Sequence, residues 1–195
     1  GLIDLDQNLK YRPRLAESWT QFEEATLAVN TVAFLPGGSI AQTVQDWPDT
    51  LLTALEGNKA WTKNLRSIEV IPGKTVEVEL APMNSEDKPE KITYTVHQPP
   101  RLKFTLEKID QDFFVPIKKW LGEEYFTTFP YEKFIRAKDP AKQAALQSRY
   151  EEILPITEHN PVITFDLRKD VAFHDGHPFD SGDVLFTYKS IMDPK

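Results

Sequence analysis

Apolar and charged residues alternate along Ile68-Glu69-Val70-Ile71 and again along Val76-Glu77-Val78-Glu79-Leu80, with Pro72-Gly73 and Lys74 between the two runs. A period of two places successive side chains on opposite faces, so each run reads as a strand with one buried face. The Pro-Gly pair predicts a tight turn, and hence a β-hairpin. Ile92-Thr93-Tyr94-Thr95-Val96 predicts a third strand after a polar loop from Asn84 to Glu90, and Leu102 to Leu106 a fourth.

Helical spacing brackets this block. Pro48 suits the first turn of a helix whose buried face is Leu51, Leu52 and Leu55, with Gly57 as its C-terminal cap. Ile40, Val44 and Trp47 continue that spacing upstream, which predicts a kinked or two-part helix. Ile109, Phe113, Ile117, Trp120 and Leu121 recur every three or four residues, with Pro116 either kinking the helix or opening its second half. Asp139 and Pro140 form a cap and a first turn for a helix that buries Leu146, Tyr150, Ile153 and Leu154 and stops at Pro155.

The ends read differently. Leu2 to Leu5 predicts a short edge strand, Lys10 to Arg14 a loop because Pro13 biases Arg12 away from helical geometry, and Leu15 to Trp19 a further apolar segment. Ala25 to Leu35 predicts a strand stopped by Pro36-Gly37-Gly38. Pro161 precedes an alternating strand, and Ser181 caps an amphipathic helix carrying Val184, Tyr188, Ile191 and Met192 on one face. There is no internal repeat and no low-complexity tract.

Composition excludes several classes. With 195 residues, 40% apolar and 27% charged, the chain suits one large domain or two small ones with an ordinary core. A net charge of −7 with scattered Lys and Arg argues against nucleic acid as a partner, since phosphate binding needs a clustered basic surface. No apolar run approaches the roughly 20 residues that span a bilayer. No secretory signal stands at Gly1, which fits a cytosolic protein or a segment of a longer one. The absence of cysteine removes disulfides, thiolate metal sites and thiol nucleophiles together.

Candidate chemistry is sparse. His174-Asp175-Gly176-His177 brings two imidazoles and a carboxylate together, but a zinc site needs further ligands, and Asp-Gly reads as a turn with a left-handed residue. The other histidines, His97 and His159, have no ligand-like neighbour at useful spacing. Glu23-Glu24, Glu123-Glu124 and Glu151-Glu152 are read as solvated faces, because adjacent helical side chains do not converge. Pro36-Gly37-Gly38-Ser39 lacks the following Lys of a phosphate loop and reads as an ordinary turn. Trp47, Trp61, Phe113, Phe114, Trp120, Tyr125, Phe126, Phe129 and Tyr131 read as core, with Tyr125 to Tyr131 the stretch dense enough to form an exposed rim. No catalytic residue, metal ligand or cofactor site is assigned, and the chain is read as a non-enzyme.

Leu15-Ala16-Glu17-Ser18-Trp19 and the stretch Ile163 to Phe179, with its Leu167-Arg168-Lys169-Asp170-Val171-Ala172-Phe173-His174-Asp175-Gly176 core, resemble the extracellular solute-binding proteins of ABC importers, family 5, the peptide and oligopeptide branch. A small residue or Thr is usual in that family where His177 stands. The resemblance implies an α+β fold in which residues 1–20 and 159–195 are two pieces of the small subdomain of a type II periplasmic-binding-protein lobe. Residues 21–158 are then an inserted mixed α+β domain of unrecognised family, placed where only a short turn is expected. It implies a fragment of the first lobe of a periplasmic or extracellular receptor, a lipoprotein anchor being one form of it. Its partners would be a peptide or similar small solute and an ABC permease. The solute contacts of the family lie mostly in parts this chain lacks, so the ligand-binding residues are unknown here. The alternative from a different class makes the insert a protein–protein interaction module docking to a permease, cell-wall or sensor partner.

Overall fold

The computed structural model describes residues 1–30, 43–80 and 92–193. The strand end at 31–35, the Pro36-Gly37-Gly38 turn with Ser39, Ile40 and the 84–90 loop lie outside them. Strands and helices are mixed along the chain, an α+β composition. By density of internal packing the chain divides into two compact units: Phe22–Pro161, the central unit, and Gly1–Gln21 with Val162–Lys195, the terminal unit.

The central unit holds two sheets and most of the helices. In sheet order β4-β7-β3-β9, the larger comprises β4 (Leu65–Ile71), β7 (Arg101–Leu106), β3 (Ala16–Ala28) and β9 (Thr157–Leu167), the last two running on into the terminal unit. The smaller has the order β5-β6-β8, with β5 (Lys74–Leu80), β6 (Ile92–Gln98) and β8 (Ile135–Ala137).

The predicted hairpin across Pro72-Gly73 does not form. β4 pairs with β7 and β5 with β6, both antiparallel. From Ser67 onward the register is continuous: Ile71 faces Arg101, Lys74 faces Gln98 and Leu80 faces Ile92. Residues 65–80 and 92–106 are thus one long ribbon, and Pro72-Gly73 opposite Pro99-Pro100 is where it passes from one sheet to the other. Prolines cannot donate to the ladder, so pairing breaks there. Gly73 is required because a Cβ on it would lie 2.5 Å from the carbonyl oxygen of Gln98. Alternation marks the strands but not their partners, because a Pro-Gly pair marks a bend in a ribbon as readily as a hairpin tip.

Helix α1 (Trp47–Leu55) follows a 3₁₀ turn at Val44–Asp46, the two-part form that the spacing predicted. It buries Trp47, Leu51 and Leu55, but Leu52 is exposed, and Gly57 does not take the left-handed conformation of a helix cap. A second helix, α2 (Lys59–Asn64), escaped the sequence reading. Asn58 caps it by accepting from the Trp61 amide at 3.1 Å, which aims Trp61 into the core.

Helix α3 (Phe114–Leu121) starts after Ile109, which stays outside it, and Pro116 sits in its first turn without a kink. Gly122, at a φ of 83°, turns the chain into α4 (Glu123–Thr127), and α5 (Tyr131–Phe134) follows. Asp139 caps a 3₁₀ turn at Pro140–Lys142, and the predicted single helix is broken into α6 (Gln143–Gln147) and α7 (Tyr150–Ile153). Gln143 ties this region down: its side chain accepts from Ala137 N at 2.8 Å and donates to the Ile135 carbonyl and the Tyr150 hydroxyl. Leu146, Tyr150 and Leu154 are buried as read.

One contiguous core fills the central unit. Phe113 stacks on Trp61 with centroids 5.4 Å apart and meets Phe104 and Phe114 edge-on. Such pairs add to the area that aromatic rings bury.

In the terminal unit, β1 (Ile3–Leu5) pairs antiparallel with β2 (Tyr11–Pro13), so the segment read as a loop is a strand. Pro13 faces Ile3 at the strand end, where a missing donor is tolerated. Pro161 likewise lies inside β9 rather than before it, which an edge strand allows. Helix α8 (Ser181–Met192) is capped by Asp180, not Ser181: the Asp180 carboxylate accepts from Gly182 N at 2.6 Å, and Asp183 reciprocates on Asp180 N.

Candidate functional site

The segment with the most distinctive sequence is the strand, turn and helix that close the terminal unit. Ser18 donates to Asp166 at 2.6 Å and the Arg168 amide to the Leu15 carbonyl at 2.9 Å, which fixes the end of β9 against β3. Arg168 then grips Asp170 through two guanidinium nitrogens at 2.9 and 2.5 Å. The side-chain hydrogen bond from Arg168 holds the Asp170 carboxyl below its ordinary value.

The turn beyond it is built from its own residues. Gly176 adopts a φ of 88°, its amide donates to the Phe173 carbonyl at 2.9 Å, and Asp175 accepts from His177 N at 3.0 Å. The Phe173 amide closes the loop on the His177 carbonyl at 2.8 Å, and Ala172 and Pro178 form a β-bridge. Asp-Gly therefore does what the sequence required of it, supplying an Asx contact and a left-handed residue. His174 and His177 are both exposed, with His177 lying against the Phe173 ring. Among the described residues no group of three His, Asp or Glu side chains is placed to hold a metal ion.

Two clefts border the unit's strands. One of about 360 Å³ is lined by Pro13, Arg14, Ala16, Glu17, Arg168, Lys169 and Asp170. The other, about 680 Å³, lies along the β1–β2 hairpin from Asp4 to Arg14. Arg14 pairs with Asp4 and Arg12 with Asp6, each at 2.8 Å, so charges of opposite sign face each other along this rim. The Lys10 amide, then the Asn8 amide and Arg12, hold the Asp6 carboxyl below its usual value.

Helix α8 presents apolar side chains to solvent. Leu185, Phe186, Tyr188, Ile191 and Met192 are exposed, Phe186 by 73% and Met192 by 77%, and Val184 is half-buried. Of the stripe that the spacing places on one face, Tyr188, Ile191 and Met192 are exposed and Val184 is half-buried. Isolated exposed apolar side chains are ordinary, but a run of them on one helix marks a surface for covering.

The central unit settles the remaining candidates. Glu23, read as part of a solvated helical face, is on strand β3 and fully buried. It accepts from the Asp110 amide at 2.7 Å and pairs with Nδ1 of His159, whose ring meets Phe114 edge-on. Glu24 lies beside Lys103, while Glu123, Glu124, Glu151 and Glu152 are exposed as expected. His97 shares a hydrogen bond with Thr75 at the surface. Arg101, missed by sequence, reaches Thr26, Glu158 and the Pro155 carbonyl; its burial pulls the guanidinium below its ordinary value. Two further clefts, of about 560 and 500 Å³, flank Asn64 with Asp110 and Lys118 with Phe126.

The aromatic run from Tyr125 is core, not rim. Tyr125 and Phe129 are buried, and Phe126 and Tyr131 pack partly buried against them. The Tyr125 hydroxyl donates to the Ala28 carbonyl at 2.8 Å and accepts from Asn30 N at 2.9 Å. Burial pushes that hydroxyl well above the usual tyrosine value.

Comparison with known proteins bears on the strand, turn and helix. A family model described as bacterial extracellular solute-binding proteins, family 5 Middle, matches residues 151–195, from α7 through β9 and the turn to α8. No curated protein and no solved structure matches the chain. The segment is therefore similar to an extracellular solute-binding protein over its last 45 residues. No helix among the described residues is long and apolar enough to cross a membrane.

Proposed function

We propose that this chain forms part of an extracellular or periplasmic solute-binding protein that captures peptides, or a similar small solute, and delivers them to an ABC permease. The observation that carries this reading is the family match over residues 151–195, which falls on a structured β9–turn–α8 segment. In this reading the terminal unit is part of the small subdomain of the first lobe, and the central unit is an insertion. The exposed apolar side chains of α8 support it, because a larger lobe would cover them. A lipoprotein anchor would hold such a receptor beside its permease.

The function needs no bond-making chemistry. Receptors of this kind close two lobes about the solute, a hinge motion. Peptide main chain is gripped by strand-like hydrogen bonds while its side chains sit in separate pockets. No residue of this chain is assigned to the solute.

Native mass spectrometry of the secreted protein, purified gently enough to keep its ligand, tests the proposal. A heterogeneous set of added masses matching short peptides is the expected result. A single unliganded mass, unchanged after incubation with a pool of peptides, would overturn the peptide assignment.

A further inference from the structure

We draw no further inference here: the strongest candidate, the buried Glu23 of the four-stranded sheet with its half-buried partner His159, is already satisfied by the Asp110 amide and the Phe114 ring, and neither residue lines any of the four clefts described above.

Discussion

The two units of this chain bury their apolar residues very differently. Every member of the hydrophobic core cluster, from Ala25 to Ile156, belongs to the central unit. Among the described residues, ten of the thirteen exposed large apolar side chains belong to the terminal unit, although it is the shorter of the two. The central unit thus carries its own source of stability, since burial of apolar area is the dominant favourable contribution to folding. The terminal unit is held by backbone pairing, by the Asp175–Gly176 turn and by surface ion pairs, which are each worth at most about 1 kcal/mol. Among the described residues, its helix α8 leaves Leu185, Phe186, Tyr188, Ile191 and Met192 exposed.

The largest effect separating the two regions should come from the aromatic cluster. Phe104 is fully buried against Trp61, Phe113 and Phe114. Phe104→Ala should destabilise the chain by about 3–5 kcal/mol, read from the midpoint and slope of urea unfolding. A loss below about 1 kcal/mol would mean that the central core is not the close-packed one described.

A smaller effect should come from Tyr125, whose hydroxyl bridges Ala28 and Asn30. Tyr125→Phe removes both of the buried hydroxyl's hydrogen bonds and should cost about 1–3 kcal/mol. The same group links stability to alkali. Its folded value is raised by burial, so the folded protein holds the phenolic proton more tightly than the unfolded chain does. That contribution is complete below the unfolded tyrosine value near 10 and is lost as pH rises above it. Tyr94 and Tyr131, also raised chiefly by burial, act in the same direction. Urea midpoints should therefore fall above about pH 10, and the fall should be shallower in Tyr125→Phe. An unchanged alkaline profile would show that this hydroxyl is not buried.

The smallest effect belongs to the terminal unit. Phe186 on α8 is largely exposed, so Phe186→Ser should change stability by no more than about 0.5 kcal/mol while lowering binding of a hydrophobic dye. A loss of several kcal/mol would show that α8 is packed, and the comparison between the units would collapse.

How much of this was legible follows from the range of each signal. Strand positions from 68 to 106 were readable because alternation is local, and the Asp139 cap and Asp175-Gly176 turn because their chemistry lies within three or four residues. The partner of β5 was not, since Pro72-Gly73 specifies a bend and says nothing about which strand lies beside it. A helical pairing of Glu23 with Glu24 would put both on a solvated face, but the segment is a strand. The alternation of Glu23, Ala25 and Leu27 places it on the core face of a strand, and that pattern was present in the sequence. Its partner His159 lies 136 residues away, a pairing that no local pattern carries. The apolar stripe of α8 was legible as a stripe, but whether anything covers it depends on contacts a sequence window does not hold.

Hydrogen exchange of backbone amides across the whole chain tests the central contrast most directly. Amides of β7, from Arg101 to Leu106, pair on both sides within the core-bearing sheet and should exchange only on global unfolding. Those of α8, on a helix whose apolar face is open to water, should exchange far faster through local opening. Equal protection of α8 and β7 would contradict the account, because the terminal unit would then share the stability that the structure assigns to the central one.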